Sequence, residues 1–207
     1  MELILARHGE SKANILNVFS NTGYKHGLTK RGKDQTYNLA KRLGSSFKSI
    51  DLIYCSPLKR AVETTRILAG YFKISYKVSS FLVEFSVGEL EGKSDTDSWR
   101  QYDQLWAEWF ESNNWDASLT GGESLNQIIK RMKDFFDKVR IDKTKHGYQR
   151  ILAIGHGGTI LSIIPHLVEN LTVDFLSEYR MNNSDFIVLD VTDTAIYSKS
   201  IHFERKI

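Results

Sequence analysis

The stretch Leu3-Ile4-Leu5-Ala6-Arg7-His8-Gly9-Glu10-Ser11 decides how this chain is read. Four apolar residues run into an Arg-His-Gly turn, and small and polar residues follow. A continuously apolar run of this kind is the pattern of a strand covered on both faces. Such a strand delivers a cation, an imidazole and an unhindered backbone to its carboxyl end, which is where open α/β sheets bind ligands. Taken alone, a histidine after a strand is as readily a structural residue, so the stretch gains meaning only from partners elsewhere.

Those partners are present. Ile151 to Ile154 is a second apolar strand that ends in Gly155-His156-Gly157-Gly158. Asp51 to Cys55 is a third, followed by Ser56-Pro57, which reads as a helix start with serine as the cap and proline in the first turn. That helix extends to about Tyr71 and carries Arg60 in its first turn. A cation there opposes the helix dipole, an unfavourable placement unless an anion sits nearby. Residues 74–83 read as a short strand or extended link. The loop Val83 to Gly92 then offers three carboxylates, Glu84, Glu89 and Glu91. If strands 3–6 and 151–154 are central and parallel, one sheet edge collects Arg7, His8, Arg60, Glu84 and His156.

Around this frame, Thr29 caps an expected helix over 30–43 that stops at Gly44. Residues 9–28 read as a loop rich in small donors, Asn14, Asn17, Ser20, Asn21, Thr22 and Gly23 among them. Residues 96–116 are partly helical and hold Trp99, Trp106, Trp109 and Trp115. Glu123 to Arg140 is the clearest helix, with Leu125, Ile128, Ile129, Met132, Phe135, Phe136 and Val139 on the 3.6-residue period. An apolar helix starts at Thr159 with a kink at Pro165, and a short helix lies near 173–180. Strands 186–191 and 195–201 form an antiparallel edge. Strands alternating with helices predict an α/β sandwich with a mainly parallel sheet covered on both faces.

The bulk numbers narrow the function classes. The formal charge of +3, from 28 basic and 25 acidic side chains, is too balanced to argue for nucleic acid. Cys55 is the one cysteine, so neither an intrachain disulfide nor a cysteine metal cluster is available. No apolar run approaches the roughly 18 residues of a spanning helix. The sequence opens directly on a strand, with no leader pattern, so a cytoplasmic protein without a membrane partner is expected. The edge hairpin and the aromatic stretch are the two candidate surfaces for a homodimer.

The five collected residues suit phosphoryl transfer. A phosphomonoester dianion needs cations and N–H donors around its equatorial oxygens and a nucleophile in line. Arginine's planar fork matches phosphate oxygens. Imidazole, with a reference pKa near 6.5, is largely neutral and nucleophilic at pH 7. A carboxylic acid protonates the leaving alkoxide; by chemistry alone Glu84, Glu89 and Glu91 are rivals for that task.

Arg7-His8-Gly9-Glu10-Ser11, with Asn14 three residues on, resembles the signature of the histidine phosphatase superfamily, the phosphoglycerate-mutase-like fold. Ser56-Pro57-Leu58-Lys59-Arg60-Ala61 is similar to its second arginine motif, and Glu84 with Gly88, Glu91 and Gly92 to its acid loop. Gly122-Glu123-Ser124 and Gly155-His156-Gly157-Gly158 are similar to its late-helix start and its second histidine motif, in matching order from residue 3 to about 190. The resemblance implies a three-layer α/β/α sandwich. It implies one histidine phosphatase domain over 1–207, with a small aromatic-rich lid insertion at about 85–122. It implies that His8 is the nucleophile and becomes phosphohistidine, and that Arg7, Arg60 and His156 hold the phosphoryl oxygens. Glu84 then donates a proton to the leaving group and later activates water. Asn14, Ser20 and Gly157 line the substrate pocket. Neither a metal nor a cofactor is implied; the partner is a small-molecule phosphomonoester.

Mutases of this kind carry a longer insertion after the acid loop, with adjacent arginines and a lysine for a second anionic group. Here the basic residues between Glu84 and Glu123 are Lys93 and Arg100 alone. That departure favours hydrolysis over the alternative, a cofactor-dependent phosphoglycerate mutase. A non-catalytic phosphate-binding module is the second alternative.

Overall fold

The apolar runs become the centre of a six-stranded sheet. Its strands are β1 (Glu2–Arg7), β2 (Leu52–Cys55), β3 (Tyr76–Val78), β4 (Arg150–Gly155), β6 (Phe186–Val191) and β7 (Ile196–His202), while β5 (Tyr179–Arg180) and β8 (Glu204–Arg205) form a separate antiparallel pair. The helices are α1 (Lys12–Leu16), α2 (Lys30–Ser46), α3 (Lys59–Phe72), α4 (Thr96–Phe110), α5 (Leu125–His146), α6 (Gly157–Leu167) and α7 (Asp174–Glu178). The structure is a computed structural model that describes residues 1–22 and 24–206; Gly23, read above as part of the donor-rich loop, and Ile207 lie outside the described residues.

The sheet order is β3-β2-β4-β1-β6-β7, parallel through β1 and antiparallel at β6 and β7. β1 and β4 are neighbours in register, with Arg7 opposite Gly155, so the two strand-histidine endings emerge side by side as expected. Strand alternation divides the apolar residues between two faces. Leu3, Leu5, Tyr54, Ile151 and Ala153 pack under α5 and α6, whereas Ile4, Ala6, Ile53, Leu152 and Ile154 pack under α2 and α3. Each fully buried aliphatic side chain contributes roughly 1.5–3 kcal/mol. Three layers result, with both faces of the parallel strands dry.

Several boundaries differ from the reading of the sequence. Thr29 does cap α2, its hydroxyl accepting from Gly32 N–H at 2.9 Å. Gly44 does not stop α2, which continues to Ser46. A helical glycine costs about 1 kcal/mol, a small sum against the α2–α3 contact, where Tyr71 and Phe72 lie beside Gly44. α5 begins after the Ser124 cap, whose box is closed by Gln127, and runs past Arg140 to His146 before Gly147 ends it in the left-handed region. The extra turns carry Asp142, which is buried and accepts a short hydrogen bond from the Tyr54 hydroxyl of β2. α6 starts at Gly157, two residues early, and continues through Pro165 to Leu167. α1 occupies part of what reads as loop, and α7 with β5 replaces the single short helix near 173–180.

The segment between the acid loop and α5 is fastened at its base. Val87 bridges Gly122, Glu89 N–H donates to Thr120 O at 3.0 Å, and Glu123 N–H donates to Ser86 O at 2.9 Å. Gly88 makes this closure, with φ +53° and its absent Cβ only 2.0 Å from Thr120 O, so no other residue fits there. Among the described residues no helix is long and apolar enough to cross a membrane.

Candidate active site

His8 leaves the end of β1 and is 3% exposed. Its Nδ1 lies 2.6 Å from Gly9 O. A carbonyl oxygen only accepts, so Nδ1 carries the proton and Nε2 presents its lone pair. Arg60 Nε donates to that Nε2 at 2.9 Å. Burial first, and then the Arg60 and Arg7 cations, hold His8 well below the usual histidine range, so the imidazole is neutral. His8 O is held in turn by Ser184 N–H and Asn183 Nδ2.

Arg60 stands in the first turn of α3 and is itself buried, with Nη1 donating to Ser20 O at 2.7 Å. Burial is the main cause that lowers its pKa to about 10. Arg7 reaches across the strand ends to donate from Nη1 to Met181 O at 2.7 Å, while its buried Nε has no partner among protein atoms. The guanidinium passes 3.3 Å from where a Cβ on Gly157 would lie, so a side chain there would crowd the cation.

His156 is the N-cap residue of α6 and is fully buried, its ring 5.0 Å from that of His8 at 62°. Burial leads the causes that push it well below the usual histidine range, followed by Arg60 and His8. Its Nε2 is 2.7 Å from Ser56 Oγ, and its Nδ1 is buried without a protein partner. This corrects the expectation for Ser56. α3 begins at Lys59 with the apolar Leu58 at the N-cap position, and the Ser56 hydroxyl, two residues earlier, meets Leu58 N–H and His156 Nε2 instead.

Glu84 lies at the start of α6. Its Oε1 accepts from Thr159 N–H at 2.7 Å and Thr159 Oγ1 at 3.0 Å, and its Oε2 accepts from Gly158 N–H at 3.1 Å. A carboxylate at a helix N-terminus gains from the free N–H groups and the dipole. Of the three rivals, Glu84 lines the cavity described next; Glu91 is turned to Asn21 N–H at 2.9 Å, and Glu89 does not line it.

Arg7, His8, Arg60, Glu84, Asn14, Ser20 and Gly157 all line one cavity of about 460 Å³. His156 is not among the lining residues; it packs directly behind His8 and is followed by Gly157, which does line the cavity. Asn14 is itself engaged, its Oδ1 accepting from Ser11 N–H at 2.9 Å, and Ser20 Oγ meets His26 Nδ1 at 2.8 Å. The far wall is a stripe of α4: Trp99, Tyr102, Asp103 and Trp106 stand at i, i+3, i+4 and i+7 and all reach the cavity. Sequence reasoning missed a third wall. Tyr179 and Arg180 of β5, Met181 just after it and Lys206 just after β8 make it. Two-residue strands have no periodicity to read, and only the basic residues themselves hinted at this role. Thr159 and Ser56 were missed as well, one on the acid and one on the second imidazole. The arrangement sets the Arg7 and Arg60 cations, the neutral imidazole of His8 and the Glu84 carboxylate around one small volume, which suits a dianionic phosphoryl group.

Residues 3–202 match the histidine phosphatase superfamily (branch 1). The chain is 29% identical over 193 residues to the adenosylcobalamin/alpha-ribazole phosphatase of Escherichia coli (strain K12), covering 92% of this chain and 90% of that protein. It is 30% identical over 213 residues to the 2,3-bisphosphoglycerate-dependent phosphoglycerate mutase of Parvibaculum lavamentivorans, covering 99% and 97%. Among solved structures, the alpha-ribazole phosphatase from Shigella flexneri superposes with a TM-score of 0.75 at 26% identity, covering 98% of this chain and 96% of that one.

Proposed function

The chain belongs to the histidine phosphatase superfamily, and we propose that it is a phosphomonoester hydrolase acting through a phosphohistidine on His8. The observation that carries this is the fixed proton of His8. With Nδ1–H held by Gly9 O, Nε2 is the ring nitrogen that can attack, once the substrate draws away the Arg60 Nε–H that it now accepts. It lies beside the cation of Arg60, on the wall of the cavity.

The roles follow from the donors. Arg7 and Arg60 take the equatorial oxygens of the substrate, with His156 completing the cradle. Nε2 attacks phosphorus in line and the bond to the leaving oxygen breaks. Glu84 gives that oxygen its proton and the alcohol departs. Water then attacks the phosphohistidine, Glu84 takes a proton from it, and phosphate and neutral His8 are regenerated. Each role falls to a side chain of this chain; no step uses a metal or cofactor. Residues 85–122 are the lid of a single domain, and their aromatic stripe on α4 faces the leaving alcohol. A cavity of about 460 Å³ is in the size class that encloses ligands larger than a three-carbon phosphate.

Turnover of p-nitrophenyl phosphate by wild type and its loss in His8→Ala tests the reading, together with an acid-labile phosphate trapped on His8. Absence of turnover by wild type would mark the chain as a binding module. One observation favours a second reading as a mutase. The cations missing between Glu84 and Glu123 are supplied to the cavity by Arg180 and Lys206, and mutases stand among the relatives. Conversion of 3-phosphoglycerate to 2-phosphoglycerate in the presence of 2,3-bisphosphoglycerate, at a rate above that of hydrolysis, selects that reading.

A further inference from the structure

We propose that Ser56 is a positioning residue that keeps the proton of His156 on Nδ1, so that this imidazole meets the phosphoryl group with a donor and not with a lone pair. The proposal rests on the phosphoryl-transfer reading of the site.

The argument is one of hydrogen-bond satisfaction. His156 is fully buried among Arg7, Arg60 and His8 and is neutral, so it carries a single N–H. Its Nε2 lies 2.7 Å from Ser56 Oγ. That bond has two forms, with the proton on either partner. Ser56 is also fully buried, and its Oγ already accepts from Leu58 N–H at 3.3 Å. If Nε2–H donated to Oγ as well, both oxygen lone pairs would be used. The hydroxyl proton would then have no acceptor, because Ser56 Oγ has no other partner among the described residues. A buried donor left unmade is the costly arrangement. With the hydroxyl donating to Nε2 the serine is fully satisfied, and the imidazole proton stands on Nδ1, which has no protein partner and is left for a ligand.

A second atom supports this. Two polar atoms of the cluster are buried without a protein partner, His156 Nδ1 and Arg7 Nε. Arg7 Nε can only donate, so what satisfies it is an acceptor, and on the phosphoryl-transfer reading that acceptor is a phosphoryl oxygen. The same ligand satisfies Nδ1 only when Nδ1 carries the proton. The alternative tautomer would aim a lone pair at a phosphoryl oxygen.

The test reads the tautomer directly. Long-range ¹H–¹⁵N correlation spectra of the wild type with saturating inorganic phosphate, with His156 assigned against His156→Asn, should show the proton on Nδ1. Ser56→Ala should move His156 toward the Nε2–H form. It should lower kcat/KM about 10–100-fold, mostly in kcat, compared with roughly 10²–10³-fold for outright loss of an oxyanion donor. Ser56→Thr, which keeps the hydroxyl, should keep the Nδ1–H signature. A wild-type spectrum showing Nε2–H overturns the proposal, as does a folded Ser56→Ala that keeps both its tautomer and its kcat. If Ser56→Ala does not fold, the wild-type spectrum still decides. A wild type that hydrolyses no phosphomonoester overturns the functional reading instead, and leaves the tautomer measurement to judge Ser56.

Discussion

Replacing Glu84 with alanine separates acid catalysis from phosphoryl capture. Positioned general acids contribute about 10²–10⁴-fold, roughly 2.7–5.4 kcal/mol of barrier at 1.36 kcal/mol per decade. The structure says which step should feel the loss. Glu84 accepts from Gly158 N–H, Thr159 N–H and the Thr159 hydroxyl, whereas Arg7, His8 and Arg60 make no bond to it. Phosphate affinity should therefore persist. Truncation frees the Phe85, Gly158 and Thr159 N–H groups, so the stability cost should be about 1–3 kcal/mol, about 2–12 °C in Tm at this chain length. An alkyl phosphate needs a proton on its leaving oxygen; a nitrophenolate does not. Hydrolysis of an alkyl phosphate should fall by the full factor. p-Nitrophenyl phosphate should show a rapid burst of one equivalent of nitrophenol, then stall as phosphohistidine accumulates for want of a base to activate water. Rapid-quench kinetics with both substrates reads each arm. A loss under about fivefold on the alkyl ester, or an equal loss for both leaving groups in the first turnover, would refute Glu84 as the acid.

Three further outcomes are expected. Tyr54→Phe removes the donor that Asp142 accepts from in the buried β2–α5 contact. Stability should drop about 1–3 kcal/mol, seen as a lower urea midpoint, with kcat unaffected. Gly158→Ala would put a Cβ 2.9 Å from Glu84 Oε1 and 2.7 Å from Phe85 Cε1. The displaced carboxylate should cost at least about tenfold in kcat on alkyl phosphates, while phosphate inhibition stays near that of wild type. Burial and the arginine cations hold both His8 and His156 below the unfolded value near 6.5. Above pH 6.5 neither state is protonated and the stability is fully present. Below it the unfolded chain binds protons that the native state refuses, so unfolding free energy should fall by roughly 1.4 kcal/mol per pH unit per histidine. Urea melts between pH 7 and 5 should show this slope, and a His8→Asn/His156→Asn variant should flatten it.

The parts of the site legible in the sequence are those carried by continuous apolar runs. β1 and β4 are buried on both faces, so their composition is nearly pure, and the residues that break each run, Arg7-His8 and Gly155-His156, are conspicuous. Arg60 was legible through its misfit with the helix dipole. What was hidden had no local period. The wall made by Tyr179, Arg180, Met181 and Lys206 depends on a two-residue pairing between β5 and β8, 24 positions apart at Arg180 and Glu204. The ends of helices were also misjudged. Gly44 and Ser56 carry stop and start chemistry, but tertiary contacts with Tyr71 and His156 outweigh it. Asp142 lies beyond the expected end of α5, and its role rests on Tyr54, a partner 88 positions away that no local pattern joins to it.

The closure of residues 88–121 at a single bridge has an evolutionary consequence. Val87 and Gly122 face one another across a single bridge, so everything between Gly88 and Gly121 enters and leaves the fold at nearly one point. Such a segment is joined at one point, so its length and surface can vary while Leu90, Leu105 and Trp109, which are buried in the core, keep it seated against the strands. Selection for a new substrate then acts on 88–121 while the bond-breaking machinery is inherited unchanged. A chimera that takes this stretch from a relative should acquire the donor's preference along with it.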